Sequence, residues 1–287
     1  MTVLDSSTGS TVRPVDPWHA TIPDSIGDTP LIRVDGVWVK LEFLNPSGSI
    51  KARIAKYLIE KAEAEGLLQP GDTIVEASSG NTGNAMSMVA AVKGYRMLVI
   101  MPDGMSPERA AISTAFGAQV MTLGDFQVTD ALAKAREFGA QPGYFAPQQF
   151  DNEWNVEENR VWLGAEAIPA RTHMFNLVRL DGEELIVDVG FGGSFVPPMK
   201  LAPGHEAATA DGARHRGDID ALVSVDSEQA IAEMRRLAKR FGLFVGPSSG
   251  AHLVAARTLR QEHDDIENVV TFFCDEGEKY INDYFLT

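Results

Sequence analysis

The segment DTIVEASSGNTGNAMSMVAAVK, residues 72–93, carries the clearest fold signal in the chain. Residues 72–77 form an apolar run of the kind found in buried strands, and residues 81–93 have the composition and spacing of a helix. A short turn rich in serine and glycine separates the two. Because parallel sheets are built from strands that alternate with helices, this segment predicts an α/β fold.

The same alternation extends in both directions from this segment. Towards the amino terminus, residues 37–43 predict a strand and residues 50–66 predict a helix that stops at a glycine. Further strands are predicted at residues 96–101, 118–123, 143–146, 243–245 and 268–273, and further helices at residues 107–116, 129–138, 227–241 and 250–263. We therefore expect parallel strands covered by helices at both ends of the chain.

The middle of the chain interrupts this alternation. Residues 173–179 and 184–189 are rich in strand-forming residues, and an Asp-Gly pair at residues 181–182 lies between them. Such a pair is typical of a tight turn between antiparallel strands, so the midsection predicts a β-hairpin. The prolines and small polar residues of residues 197–217 predict a loop without regular structure.

Composition and charge exclude several classes of function. The chain has 287 residues, with 25 basic and 40 acidic side chains and a net charge of −15, which argues against binding to nucleic acid through phosphate contacts. A single cysteine, Cys274, excludes an intrachain disulfide and a multi-cysteine metal site. No apolar run approaches the roughly 20 residues of a membrane helix, and the amino terminus lacks a signal-peptide pattern. We expect a soluble cytoplasmic protein with no metal and no membrane or nucleic-acid partner.

Two turns that lead into helices have the chemistry of a ligand site. Lys51 follows a Gly/Ser turn, where the positive end of a helix dipole suits an amine to form a Schiff base or accept a proton. Taken alone, a lysine near a helix start is usually a solvated surface residue. The turn at residues 78–83 presents backbone amides, serine hydroxyls and an asparagine at a helix start, which suits a carboxylate or phosphate. An ordinary serine cap is the alternative there.

Two further glycine-rich turns are weaker candidates on local chemistry. Residues 190–194, GFGGS, follow a predicted strand and would let backbone amides approach a phosphate closely. Residues 246–251, GPSSGA, form another strand-to-helix turn. Its hydroxyls either meet a ligand or cap the helix.

Six segments, in order and spacing, resemble the pyridoxal phosphate enzymes of the cysteine synthase type, relatives of the tryptophan synthase β subunit. The segments are GDTPL (residues 27–31), NPSGSIK (45–51), SSGNTG (78–83), QQF (148–150), GPSSGA (246–251) and DEGEKY (275–280). The resemblance covers residues 25–165 and 218–287. It implies a homodimer with a two-domain α/β fold, in which residues 39–147 form the smaller domain and residues 1–38 and 148–287 form the larger one.

The resemblance also implies a role for individual residues. Lys51 would hold pyridoxal 5′-phosphate through its amine and remove the α-proton of the substrate, Asn81 would bind the cofactor's ring oxygen, and Ser248 its pyridine nitrogen. The implied phosphate-binding residues are Gly190, Gly192, Gly193 and Ser194. The implied residues for the amino acid substrate are Ser78, Ser79, Gly80, Asn81, Thr82 and Gln149.

The implied reaction is elimination and replacement at the β-carbon of a serine derivative. Candidate substrates are O-acetylserine and O-phosphoserine, with sulfide or another nucleophile as the second substrate. A hydroxyl at the pyridine nitrogen, unlike a carboxylate, does not stabilise a pyridinium, and this suits elimination rather than transamination.

The midsection departs from the family. Phe191 and Ser194 stand where the family's phosphate loop has threonines, so one hydroxyl is lost and a large ring must be accommodated. The segment that follows is also shorter than in the family. One alternative function is therefore that of a protein that binds cofactor or amino acid but has impaired turnover.

Residues 170–201 resemble a different enzyme, arylamine N-acetyltransferase. The resemblance would make His173 and Asp188 two members of a Cys-His-Asp triad, with acyl transfer as the alternative function. The triad also needs a thiolate. Cys274 lies downstream in an apolar run, and we interpret it as a core residue rather than a nucleophile.

Overall fold

The computed structural model describes residues 20–105, 107–125, 128–155, 157–158, 176–180, 183–187, 199–200, 206–208, 214–216, 223–262 and 268–286. These residues form an α/β fold with parallel strands and covering helices, as predicted. None of the helices within these ranges combines the length and the apolar character that crossing a membrane requires.

A parallel sheet of four strands lies at the centre of the first half of the chain, in the order β5-β4-β3-β6. Its strands are β3 (Thr73–Ala77), β4 (Arg96–Asp103), β5 (Gln119–Asp125) and β6 (Tyr144–Phe145). The helices of this half are α1 (Lys51–Ala64), α2 (Asn81–Lys93), α3 (Pro107–Ala115) and α4 (Val128–Gly139). All eight elements were predicted.

Both faces of this sheet are covered, and this explains why β3 is buried along its whole length. On one face, α1 and α2 pack on the sheet, with Leu58 and Ile59 fully buried. On the other face, Leu132 of α4 packs against Val75. The carboxyl end of β3 is where the chain turns into α2, a place where open α/β sheets commonly bind ligands.

A second sheet joins the two ends of the chain. β1 (Leu31–Val34) and β2 (Val37–Lys40) form an antiparallel hairpin, and β12 (Val270–Phe272) pairs with β2 in parallel. Two helices, α5 (Ser227–Phe241) and α6 (Pro247–Glu262), bury Leu237 and Leu253 against this sheet. They pack so closely that a Cβ at Gly250 would lie 2.1 Å from the carbonyl oxygen of Ala230.

Three predictions near the chain ends need correction. The strand predicted at residues 37–43 ends at Lys40, and Glu42–Leu44 form a short 3-10 helix that turns Glu42 into the interior. The strand predicted at residues 243–245 is wrong, since Val245 makes only an isolated bridge with Glu276. The helix predicted from residue 250 begins three residues earlier, at Pro247.

The midsection contains the predicted hairpin. β7 (Asn176–Leu180) pairs antiparallel with β8 (Glu183–Val187), which in turn pairs with β9 (Met199–Lys200). A separate pair consists of β10 (Glu206–Ala208) and β11 (Arg214–Arg216). The prediction that residues 197–217 lack regular structure is therefore wrong, because short strands form between the prolines and glycines.

The predicted domain boundary at residue 39 falls inside β2, whose pairing with β1 and β12 extends to Lys40. The division into a smaller and a larger domain stays a prediction.

Candidate active site

A cleft with a volume of 330 Å³ lies beside the carboxyl end of β3. This volume is at the lower end of the range for small-molecule sites. The described residues that line it are Lys51, Ser78, Ser79, Gly80, Asn81, Thr82, Arg109, Gln149, Phe150, Lys279 and Tyr280. The fold thus brings together Lys51, the loop at residues 78–82 and Gln149, which are far apart in the sequence.

The turn before Lys51 is fixed by the carboxyl-terminal segment of the chain. Lys51 is the first residue of α1, and the backbone amide of Ile50 donates to the carbonyl of Cys274 at 2.8 Å. Gly48 has a φ of +70°, and a Cβ there would lie 2.3 Å from the carboxylate of Glu276. Glycine is therefore required at this position, and the docked segment determines where Lys51 enters the cleft.

Burial sets the electrostatics of the lysine. Desolvation lowers the pKa of the Lys51 amine, and the nearby Cys274, Glu158 and Asp275 oppose this effect only in part. A lowered pKa increases the fraction of neutral amine, which is the form that attacks an aldehyde or accepts a proton.

The loop after β3 is organised by Ser78. Its hydroxyl oxygen accepts hydrogen bonds from the backbone amides of Gly80 at 3.2 Å and Gly83 at 2.9 Å. A Cβ at Gly83 would lie 3.0 Å from a methyl group of Val99, so α2 is seated tightly on the sheet. Ser78 thus accepts an amide from the first turn of α2, as a capping serine does, and it also lines the cleft together with Ser79 and Gly80.

Thr82 and Gln149 meet on one wall of the cleft. The Thr82 hydroxyl donates to the side-chain oxygen of Gln149 at 2.5 Å. Both residues are buried, with 4% and 6% of their surface exposed. This bond connects the start of α2 to the turn after β6.

Asp275 connects the loop to the carboxyl-terminal segment. Its Oδ2 accepts hydrogen bonds from the side-chain amide of Asn81 at 2.8 Å and from the hydroxyl of Tyr280 at 2.7 Å. Its Oδ1 is buried and has no hydrogen-bond partner among the described residues. This oxygen lies beside Gly246, where a Cβ would be 2.4 Å away, and Asp275 is not among the described residues that line the cleft.

Four lining residues were not among the predicted site residues. The guanidinium of Arg109 donates to the carbonyl of Ser79 at 3.0 Å, and the buried ammonium of Lys279 donates to the carbonyl of Gly48 at 3.1 Å. Two of the six family-like segments, DEGEKY and QQF, contain three of the four: Lys279, Tyr280 and Phe150. These residues could therefore have been predicted as site residues from the sequence. Arg109 lies in α3, and no pattern in the sequence singled it out.

Other predicted residues lie elsewhere. Ser248 is half-buried in α6 and is not among the described residues that line the cleft. The buried neighbour, Ser249, accepts a hydrogen bond from the amide of Cys274 at 3.0 Å. Outside the described residues lie Gly190, Gly192, Gly193 and Ser194.

The acetyltransferase alternative gains no support from the described residues. His173 and Asp188 lie outside them. Burial raises the pKa of the Cys274 thiol to about 12, so the thiolate that a Cys-His-Asp triad requires is disfavoured. Near that thiol, His252 has its Nδ1 3.0 Å from the carbonyl of Phe272 and 3.6 Å from the sulfur.

Known proteins are similar to this chain in sequence and in fold. The family described as pyridoxal-phosphate dependent enzymes matches residues 22–200 and 193–275. The chain is 35% identical to a cysteine synthase of Staphylococcus aureus, with 94% of this chain and 96% of the relative covered. It is 32% identical to the O-ureido-L-serine synthase of Streptomyces lavendulae, with 93% of each covered.

A solved structure gives the same result. The crystal structure of an O-ureido-L-serine synthase superposes with a TM-score of 0.72 at 28% identity, covering 94% of this chain and 96% of that one. The resemblance noted over residues 25–165 and 218–287 is confirmed, and the family match also extends through the midsection, which the sequence patterns had set apart. The chain belongs to the family of pyridoxal phosphate-dependent enzymes and is similar to its cysteine synthases.

Proposed function

We propose that the β-replacement catalysed by this pyridoxal phosphate-dependent enzyme uses O-acetylserine or O-phosphoserine, with sulfide or another small nucleophile as the second substrate. The observation that carries the proposal is that Lys51, the donor-rich loop at residues 78–82 and Gln149 line one cleft. One wall offers donors for a carboxylate, and the other offers an amine. The relatives named cysteine synthase and O-ureido-L-serine synthase support a substrate of the serine type.

The cleft residues fit the ring end of pyridoxal phosphate. Lys51 offers an amine whose charged form is disfavoured by burial, and Asn81 offers a side-chain amide. We assign Lys51 to cofactor attachment, Asn81 to the ring oxygen and Ser248 to the pyridine nitrogen. The proposed phosphate-binding residues are Gly190, Gly192, Gly193 and Ser194. When bound, the cofactor withdraws electrons from the α-carbon of the substrate and makes its proton acidic.

The protein's own residues bind the substrate and move the proton. The described lining includes two cationic side chains, Arg109 and Lys279, and no carboxylate, so its field favours an amino acid carboxylate. We propose that Ser79, Thr82 and Gln149 hold this carboxylate together with the amide of Gly80, while Ser78 shapes the loop. When it is not attached to the cofactor, the neutral amine of Lys51 takes the α-proton and the leaving group departs from the β-carbon with the bonding electrons. The nucleophile then joins the β-carbon, and the protonated amine of Lys51 returns the proton to the α-carbon.

We further propose that the enzyme works as a cytoplasmic homodimer of two-domain subunits. This assignment rests on the family resemblance. Light scattering of the purified protein, compared with the 31.1 kDa mass of one chain, measures the assembly directly.

The decisive experiment compares substrates on purified protein loaded with cofactor. O-acetylserine and O-phosphoserine are each supplied with sulfide, and cysteine formation is measured. Cysteine formation from either supports the proposal. Acetylation of an arylamine from acetyl coenzyme A would instead favour the acyltransferase, and a visible absorption change without substrate consumption would favour the impaired binding protein.

Ser79→Ala tests the carboxylate assignment. We expect KM for the amino acid to rise about tenfold or more, because a hydrogen bond to a charged group is lost. The visible absorption of bound cofactor should stay nearly unchanged, because Ser79 is assigned to the substrate alone. Steady-state kinetics and an absorption spectrum measure the two effects.

Ser78→Ala is the matched comparison for this prediction. Because the Ser78 hydroxyl accepts two backbone amides, its loss should lower the thermal stability of the protein as well as substrate affinity. If Ser79→Ala itself removed the visible absorption, the assignment of Ser79 to the carboxylate would be wrong.

A further inference from the structure

Glu76 is a buried acid that lies two residues before the loop at residues 78–82 in the sequence. It is the fourth residue of β3 and only 1% exposed. Its two carboxyl oxygens accept hydrogen bonds from the backbone amides of Ala77 at 3.0 Å and of Gln149 at 3.1 Å. Burial raises the pKa of Glu76 to about 8, so the side chain is mostly an uncharged carboxylic acid at neutral pH.

The partner of Glu76, Gln149, is the glutamine assigned to the substrate carboxylate. Besides donating its backbone amide to Glu76, Gln149 donates from its side chain to the carbonyl of Ala77 at 3.2 Å and accepts from the hydroxyl of Thr82 at 2.5 Å. The end of β3 thus binds both the backbone amide and the side-chain amide of Gln149. Glu76 itself is not among the described residues that line the cleft.

The turn that carries Gln149 adopts a backbone conformation that must be held in place. Gln148 has a φ of +54°, in the left-handed region that residues with a Cβ rarely occupy. Its carbonyl accepts the amides of Asp151 and Asn152, each at 3.0 Å, which closes the turn on one side. The bond from Gln149 to Glu76 holds the other side against the sheet.

We propose that Glu76 is a positioning residue for the substrate carboxylate. Glu76 accepts the backbone amide of Gln149 and so holds the side chain of Gln149 against Thr82. This inference rests on the proposed function, because it takes Gln149 and Thr82 as carboxylate-binding residues. A neutral acid suits the task, since it supplies acceptors for two amides without a full negative charge behind an anion-binding wall.

The test compares Glu76→Leu, which removes both acceptors at similar size, with Glu76→Gln, which keeps one. On cofactor-loaded enzyme, Glu76→Leu should raise KM for O-acetylserine about tenfold, as expected for the loss of a buried acceptor. The value of kcat should change by less than about twofold, because the reacting groups are untouched. Glu76→Gln should restore KM to within about threefold of wild type.

Glycine provides a readout that does not depend on turnover, because it has a carboxylate but no β-leaving group. Its dissociation constant, measured from the change in visible absorption, should follow the same order: wild type tightest, then Glu76→Gln, then Glu76→Leu. Ser113→Ala is the control for general loss of stability. It removes the buried bond from Ser113 to Asn84 at 2.7 Å and should leave glycine binding unchanged.

Unchanged glycine affinity in Glu76→Leu, with only a lower melting temperature, would overturn the inference. Should that variant not fold, the double mutant of Glu76→Gln and Gln149→Ala decides. If Glu76 acts through the side chain of Gln149, adding Glu76→Gln to Gln149→Ala leaves the dissociation constant of glycine unchanged. Additive effects of the two substitutions on that constant would contradict the inference. A wild-type enzyme that binds glycine but consumes neither O-acetylserine nor O-phosphoserine contradicts the proposed function alone, and the glycine constants then decide the role of Glu76.

Discussion

Lys51→Ala is expected to lower kcat/KM for β-replacement by at least about a thousandfold. A positioned acid–base group contributes about 10²–10⁴-fold by itself, and the same substitution removes the amine assigned to cofactor attachment. The variant should also lose most of its visible absorption after gel filtration. Both effects are measured on protein purified with added cofactor.

The matched control is Lys56→Ala, on the same helix but outside the cleft lining. It should retain activity and colour. Because Lys51→Ala removes an amine that is unfavourably desolvated, its melting temperature should not fall below that of wild type when both lack cofactor. This comparison separates loss of chemistry from loss of fold.

Borohydride reduction gives an independent measurement of the same assignment. Mass spectrometry of the reduced wild-type protein should locate one pyridoxyl group on the peptide that contains Lys51. A pyridoxyl group on another lysine, or a Lys51→Ala variant that keeps full activity, would show that the catalytic amine has been misassigned.

The parallel sheet could be predicted because its strands contain short apolar runs and each covering helix has its own stop signal. β3 is followed at once by the turn that starts α2, so both elements and the loop between them are contiguous in sequence. Local patterns therefore determined this part of the fold.

The hairpin of β1 and β2 was missed although it carries the same signal as the one in the midsection. Asp35 and Gly36 form an Asp-Gly turn with φ values of +49° and +84°. The predicted strand instead continued through Glu42, because a charged residue in an apolar run resembles ordinary alternation. In the structure, Glu42 leaves the strand direction and binds Arg53 on α1. No local sequence pattern reveals this pairing.

The same distinction applies to the active site. The lysine and the loop at residues 78–83 are compact motifs, so their chemistry could be inferred from the sequence. The contact between Asn81 and Asp275 joins residues separated by 194 positions and follows only from the packing of the carboxyl-terminal segment. Arg109 is likewise placed by the tertiary fold alone.

Glu42 is the centre of a buried polar network beneath the lysine turn. It is completely buried, and its carboxylate accepts two hydrogen bonds from Arg53, at 2.7 and 2.9 Å. The hydroxyl of Thr29 and the amide of Asn45 donate to it at 2.6 and 2.8 Å. The network joins the amino-terminal segment to α1, the helix that begins with Lys51.

Glu42→Ala is expected to destabilise the protein by about 3–5 kcal/mol, because it removes the carboxylate that forms a buried ion pair with Arg53. At this chain length the melting temperature should fall by about 10 °C. Glu137→Ala is the control, since it breaks an ion pair on the surface. The side chain of Lys134 in this pair is 32% exposed and that of Glu137 is 59% exposed. Such a pair contributes less than about 1 kcal/mol.

The pH dependence of stability gives a second measurement of the same network. Burial alone would raise the pKa of Glu42, but the hydrogen bonds from Arg53, Thr29 and Asn45 outweigh it and lower the pKa below its ordinary value of 4.5. The stabilisation is therefore fully present above that pH and is lost as the pH falls through the lower folded-state value. Wild type should thus lose more stability in acid than Glu42→Ala does. Equal acid sensitivity of the two proteins, or a Glu42→Ala variant as stable as Glu137→Ala, would show that this network does not hold the lysine turn.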